Sequence, residues 1–107
     1  MQARAKEPTA LILADEASLG RAEEQCRGLK REGFHVIALL SIPVAEGAWP
    51  ADEILTGEPQ KLLAGFIQAC ERSTHTTYPE RVYLFLREPM AAQARAMLVD
   101  YPVELIA

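Results

Sequence analysis

The sequence has none of the long hydrophobic runs that mark a membrane protein. Its 107 residues contain no apolar run near the ~20 residues that a membrane-spanning helix needs. The first apolar segment, residues 9–14, is short and is followed at once by Asp15 and Glu16, which is atypical of a signal peptide. We therefore expect a cytoplasmic protein with no membrane association.

Cysteine and histidine are scarce, with two of each. Cys26 and Cys70 fall on the apolar stripes of predicted helices, where a thiol packs as a small hydrophobic group. His35, predicted in a strand, and His75, predicted in a loop, have no further Cys or His at ligand spacing. We therefore expect inert thiols, no zinc site and no cofactor.

Positive charge is also in deficit, with 11 Lys and Arg against 15 Asp and Glu and a net charge of −4. In the first predicted helix the basic residues alternate with glutamates, as in the pair Glu23 and Arg27, which is typical of a solvated helix face. A nucleic-acid binder usually has a concentrated basic patch. We therefore expect no direct nucleic-acid binding.

Glycine-rich phosphate loops are absent as well. Gly20 stands alone after the first predicted strand, where a dinucleotide site or a P-loop needs two or three glycines. Nucleotide binding of these two kinds is therefore not expected.

The residues that are present predict one α/β domain over 9–107, preceded by a tail over 1–8. Half of the residues are apolar, and a chain of this length buries about 65% of its unfolded-state surface. Runs that are apolar on both faces predict buried strands over 10–14, 34–42, 81–87 and 103–106. Apolar residues at helical spacing predict helices over 16–31, 59–73 and 90–99.

This alternation predicts a flavodoxin-like or Rossmann-like open parallel sheet of four strands, in the order 2-1-3-4, with helices on both faces. Residues 43–58 are predicted to be irregular, and a loop of that length is usually functional or mobile. Trp49 lies in this loop. It either caps the sheet edge or forms an exposed anchor for a protein partner.

In such sheets ligands bind beyond the carboxyl ends of the strands, where the strand order reverses. The polar residues at these positions are Asp15, Glu16, Ser18, Ser41, Arg87 and Glu88. One interpretation is a magnesium site formed by Asp15, Glu16 and Glu88. The other is structural: Asp15 caps the first helix, Glu16 interacts with the helix dipole, and Arg87 pairs with Asp15.

Ser18 and Arg87 are the candidate catalytic residues. A serine nucleophile needs a base or several cations beside it, and the predicted layout places no histidine and only one arginine there, against three acids. A structural role for Ser18 is the alternative.

Five segments resemble the catalytic domain of serine recombinases, the resolvase and invertase family: ALILADEAS, AEEQCRGLKREGFHVIAL, PQKLLAGFIQA, RVYLFLREP and VELIA. In that family the first strand leads to a nucleophilic serine, and paired arginines follow a later strand. Here Ser18 or Ala17 falls at the serine position, Asp15 or a neighbour replaces the preceding arginine, and Arg87 is followed by Met90 at the second arginine position. The resemblance therefore implies a non-catalytic relative.

The strings LILADEAS and REGFHVIA also resemble response-regulator receivers, which place an acidic pair after strand one to bind magnesium. Their phosphoacceptor aspartate ends strand three, where this chain has Leu84, Phe85 and Leu86.

Two functional hypotheses follow. The first is a non-catalytic, resolvase-like domain that binds a protein partner or a second copy of itself, linked to a mobile element or plasmid. The second is a small enzyme or a magnesium-binding regulatory domain, with its site at the carboxyl ends of the first and third predicted strands.

Overall fold

The computed structural model describes residues 8–45, 47, 49–72, 78–101 and 103–106. In chain order the elements are β1 (Thr9–Ala14), a 3-10 turn (Glu16–Ser18), α1 (Leu19–Arg31), β2 (His35–Leu40), β3 (Glu53–Thr56), α2 (Pro59–Arg72), β4 (Arg81–Phe85), α3 (Met90–Leu98) and β5 (Glu104–Ile106). Within these ranges no helix combines the length and apolar character needed to cross a membrane.

The strands form one parallel sheet in the order β3-β2-β1-β4-β5. The predicted α/β class and open parallel sheet are confirmed, and the four predicted strands have their predicted relative order. The chain moves outward from β1 through β2 to β3, then crosses back through α2 to β4 on the other side of β1. The strand order therefore reverses between β1 and β4.

The number of strands differs from the prediction, because β3 lies within residues 43–58, which were expected to be irregular. Its four residues, EILT, pair with β2 and occupy the edge of the sheet. Most of its side chains are exposed, so the segment has neither a continuous apolar run nor a clean alternation. A short, solvated edge strand gives little sequence signal.

Trp49, from the same segment, is only 7% exposed and belongs to the apolar cluster on the α1 side of the sheet. This burial is compatible with the interpretation that Trp49 caps the sheet edge. The ring offers little surface to a partner, and its role as an anchor stays a prediction.

Alternate residues of β1 pack on opposite faces of the sheet, as expected for a central strand. Ala10, Ile12 and Ala14 face the cluster that contains α1 residues, whereas Leu11 and Leu13 face the cluster that contains residues of α2 and α3. Helices therefore cover both faces of the sheet.

The two cysteines are buried in this core, as predicted. Burial raises the pKa of the Cys26 thiol to about 11 and also raises the pKa of Cys70. Both thiols therefore stay protonated near neutral pH, the form that packs as a hydrophobic group and not as a nucleophile. On the solvated face of α1, the predicted ion pair between Glu23 and Arg27 is present.

Candidate functional site

A cavity of about 290 Å³ opens at the carboxyl ends of β1 and β4, where the strand order reverses. The two strands stay joined beyond their last paired residues, because Asp15 N donates to Phe85 O at 3.0 Å. Residues that line the cavity come from four places, the 3-10 turn, α1, the end of β4 and α3: Ser18, Arg21, Leu84, Phe85, Leu86, Arg87, Glu88, Ala91 and Arg95. Its location agrees with the site predicted for an open α/β sheet.

Asp15 joins the two strand ends beside this cavity. Its carboxylate, 2% exposed, accepts hydrogen bonds from Ser18 N at 3.1 Å, from Arg87 N at 2.8 Å and from Arg87 Nε at 3.3 Å. The structural interpretation of Asp15 and Arg87 therefore has its expected contacts. The capped element is the 3-10 turn, because α1 itself begins only at Leu19.

The Asp15 carboxyl is held in its charged form. Burial raises its pKa, but the hydrogen bonds and positive charge of Arg87, together with a hydrogen bond from the Ser18 side chain, outweigh this effect. The pKa of Asp15 therefore lies below its usual value, and the buried carboxylate orients both Ser18 and Arg87.

Ser18 is 4% exposed, and its Oγ accepts a hydrogen bond from Arg21 Nη2 at 3.2 Å. Arg21 is three residues further along, so both side chains lie on the same side of the first helical turn. Arg21 has no carboxylate partner within the described ranges. Its guanidinium therefore retains donors for a ligand in the cavity.

The side chain of Arg87 is anchored through one nitrogen only. Its side chain is 70% exposed and pairs with Asp15 through Nε. The two Nη groups have no partner among the residues that the structure describes, so they remain available as donors. The buried Asp15 carboxylate thus positions the Arg87 guanidinium and leaves its two Nη groups as donors for a ligand.

Arg95 reaches the cavity from α3 and pairs with Glu88. Arg95 Nη2 donates to Glu88 Oε2 at 3.0 Å, and Ala92 N donates to Glu88 Oε1 at 3.1 Å. The Arg95 hydrogen bond is the main reason that the pKa of Glu88 lies below its usual value. Glu88 is therefore a carboxylate that neutralises one arginine of the cavity.

The expectation of a single arginine at this site is wrong, because Arg21 and Arg95 also line the cavity. The sequence could have indicated Arg21, because it lies three residues after the candidate Ser18 on a predicted helix. Arg95 had a weaker signal, since it lies seven residues after the candidate Glu88. Recognising Arg95 also required the packing of α3 against the end of β4.

The three candidate metal ligands do not converge. Asp15 is buried and engaged with Ser18 and Arg87, Glu88 is engaged with Arg95, and Glu16 does not line the cavity. In the described part of the chain, no three His, Cys, Asp or Glu side chains form a group that could hold a metal ion.

The remaining polar candidates are not among the residues that line the cavity, or they lie outside the described ranges. Ser41 N donates to Ala14 O at 3.1 Å, and the Ser41 side chain is not part of the lining. His35 begins β2, at the opposite end of the sheet. The predicted loop position of His75 lies outside the described residues.

No protein-family model matches this chain, and neither the curated proteins nor the solved structures include a significant match. The resemblances to serine recombinases and to receivers therefore stay predictions. We therefore infer the function from the geometry of this cavity, a cleft at the carboxyl ends of β1 and β4.

Proposed function

We propose that this domain binds a small anionic ligand in the cleft formed by Ser18, Arg21, Arg87 and Arg95. The observation that carries the proposal is that three arginines, from α1, the end of β4 and α3, line one cavity together with Ser18. Guanidinium groups present planar sets of N–H donors that match carboxylate and phosphate oxygens.

The charge of the residues that line the cleft favours the binding of an anion. Three arginines line the cleft against one carboxylate, Glu88, although the whole chain has a net charge of −4. The second nearby carboxylate, Asp15, is buried and already accepts three hydrogen bonds. A bound oxyanion supplies the negative charge that the side chains of the cleft do not.

The size and walls of the cleft indicate more than a bare ion. Its volume of about 290 Å³ is near the lower end of the ~300–1,000 Å³ of small-molecule pockets. Leu84, Phe85, Leu86 and Ala91 supply apolar surface beside the arginines. We therefore propose a small organic anion, with a phosphate-type or carboxylate head group, as the ligand class.

The role of Ser18 in this proposal is to bind, not to attack. The Ser18 hydroxyl is hydrogen-bonded by Arg21, whose guanidinium does not accept a proton. It is also hydrogen-bonded to the Asp15 carboxylate, which is a weak base because its pKa lies below the usual value. The Oγ atom accepts from Arg21, and a bound anion competes with Asp15 for the hydroxyl hydrogen.

Sulfate titration followed by amide NMR tests the proposal. We expect shifts at Ser18, Arg21 and Arg87, and an affinity about tenfold weaker in Arg21→Gln because one charge-assisted hydrogen bond is lost. Arg31→Gln is the matched control, since it removes the same charge from the last residue of the same helix. Equal affinities of the two variants, or no shift at roughly 10 mM sulfate, would contradict the proposal.

Association with a protein partner or a second copy is the second candidate function. It is favoured by Leu55, which is 46% exposed on the edge strand β3. An exposed apolar side chain beside unpaired strand edges is a typical docking surface. Light scattering of the wild type and Leu55→Ser tests it: a concentration-dependent dimer that the substitution abolishes supports association, and a monomer in both excludes self-association through β3.

A further inference from the structure

Two acid–arginine pairs lie at the cleft, and they differ in how firmly they are held. Asp15 is 2% exposed, and its carboxylate accepts hydrogen bonds from two backbone N–H groups and from Arg87 Nε. Glu88 is 63% exposed, and it contacts Ala92 N and the guanidinium of Arg95. Withdrawing Asp15 would leave buried donors without an acceptor, whereas the groups that Glu88 contacts can be hydrated by water.

The Glu88 carboxylate occupies a position that an anionic ligand would need. Both Glu88 and Arg95 line the cavity, and Glu88 Oε2 lies 3.0 Å from Arg95 Nη2. Carboxylate and phosphate oxygens use the same guanidinium donors. A ligand that takes the Nη2 donor now used by Glu88 must therefore replace Glu88.

We propose that Glu88 is an internal competitor for Arg95, so that the anionic head group binds by exchanging with the Glu88 carboxylate. This inference rests on the proposed anion-binding function. Arg87 keeps its buried partner during the exchange, because Asp15 contacts Nε and leaves the Nη groups for the ligand. The cleft thus combines one fixed guanidinium, Arg87, with one that changes partner, Arg95.

Removing the competitor tests the inference. Glu88→Gln keeps the shape of the side chain but removes its charge, and we expect sulfate affinity to rise about threefold, the order expected for one solvent-exposed ion pair. In an Arg95→Gln background the same substitution should change sulfate affinity little. Glu16→Gln removes the same charge near the cleft without a described contact to Arg95, and it should raise the affinity less.

The possible outcomes separate this inference from the proposed function. If Glu88→Gln weakens sulfate binding, Glu88 positions Arg95 for the ligand and the competitor role is wrong. The competitor role is also wrong if affinity is unchanged, or if it rises equally in the Arg95→Gln background. If neither the wild type nor Glu88→Gln binds sulfate, both proposals fail. Urea unfolding of each variant shows that the compared proteins are folded.

Discussion

The two ends of the parallel sheet carry their charged residues in different arrangements. At the amino end, Lys30 Nζ lies 2.6 Å from Asp52 Oδ2, and Arg81 Nη1 lies 3.6 Å from Glu32 Oε1. At the carboxyl end, Arg21 lines a cavity and has no carboxylate partner in the described part of the chain. Paired charges hold neighbouring elements together, whereas a guanidinium without an acidic partner retains donors for a ligand.

Each end is also held by one aspartate. Asp15 joins β1 to the end of β4, and Asp52, which precedes β3, accepts hydrogen bonds from Val36 N at 2.8 Å and from Lys30. The side chain of Asp15 is 2% exposed, whereas that of Asp52 is 30% exposed. Because lost hydrogen bonds cost more where water cannot replace them, we expect the carboxyl end to be the more sensitive to substitution.

The largest effect is expected from Asp15→Ala. The variant leaves the N–H groups of Ser18 and Arg87 without their acceptor, and we expect a loss of about 3 kcal/mol in the free energy of unfolding. Urea unfolding measures it. Asp15→Asn, which keeps one carbonyl oxygen, should lose less. A loss below about 1 kcal/mol in Asp15→Ala would mean that the two strand ends do not depend on this carboxylate.

Asp52→Asn should have a smaller effect that depends on pH. Burial raises the pKa of Asp52, but the hydrogen bonds from Lys30 and Val36 N and the charges of Lys30 and His35 outweigh it, so the pKa lies below the usual 3.8. A carboxyl group whose pKa is lower in the folded state stabilises the fold above its unfolded-state pKa. That stability is lost as the pH falls through the folded-state pKa.

We therefore expect Asp52→Asn to lose about 1 kcal/mol at neutral pH, and the gap to the wild type to shrink toward about pH 3. Urea unfolding of both proteins at the two pH values is the measurement. A gap of equal size at both would show that the Asp52 charge does not stabilise the amino end.

The smallest change in stability is expected from a pair of arginine substitutions that compares the two ends directly. Arg81→Gln removes the contacts with Glu32 and Glu104 and the cation–π contact with Phe34, so it should lower the Tm slightly and leave sulfate affinity unchanged. Arg21→Gln should leave the Tm nearly unchanged and weaken sulfate binding. If both variants change the same property, the two ends do not differ in function.

Much of the fold was predictable because the central strands are continuous apolar runs. Residues 10–14 have no polar face, which is typical of a strand covered by helices on both sides, and β1 is completely buried from Ala10 to Ala14. The parallel direction of the strands placed Asp15 and Arg87 at the same end of the sheet, and the expected order 2-1-3-4 put their strands side by side. Their pairing was therefore accessible from the sequence.

The sequence by itself determined the α/β class and the placement of Asp15 and Arg87 at one end of the sheet, because these follow from hydrophobic patterns and from the direction of parallel strands. Tertiary structure alone decided the edge pairing of β3, the burial of Trp49 and the meeting of Arg21 with Arg95 at one cavity. An exposed strand and long charged side chains have little patterning of their own. The residues that they contact depend on where the sheet and the helices place them in the fold.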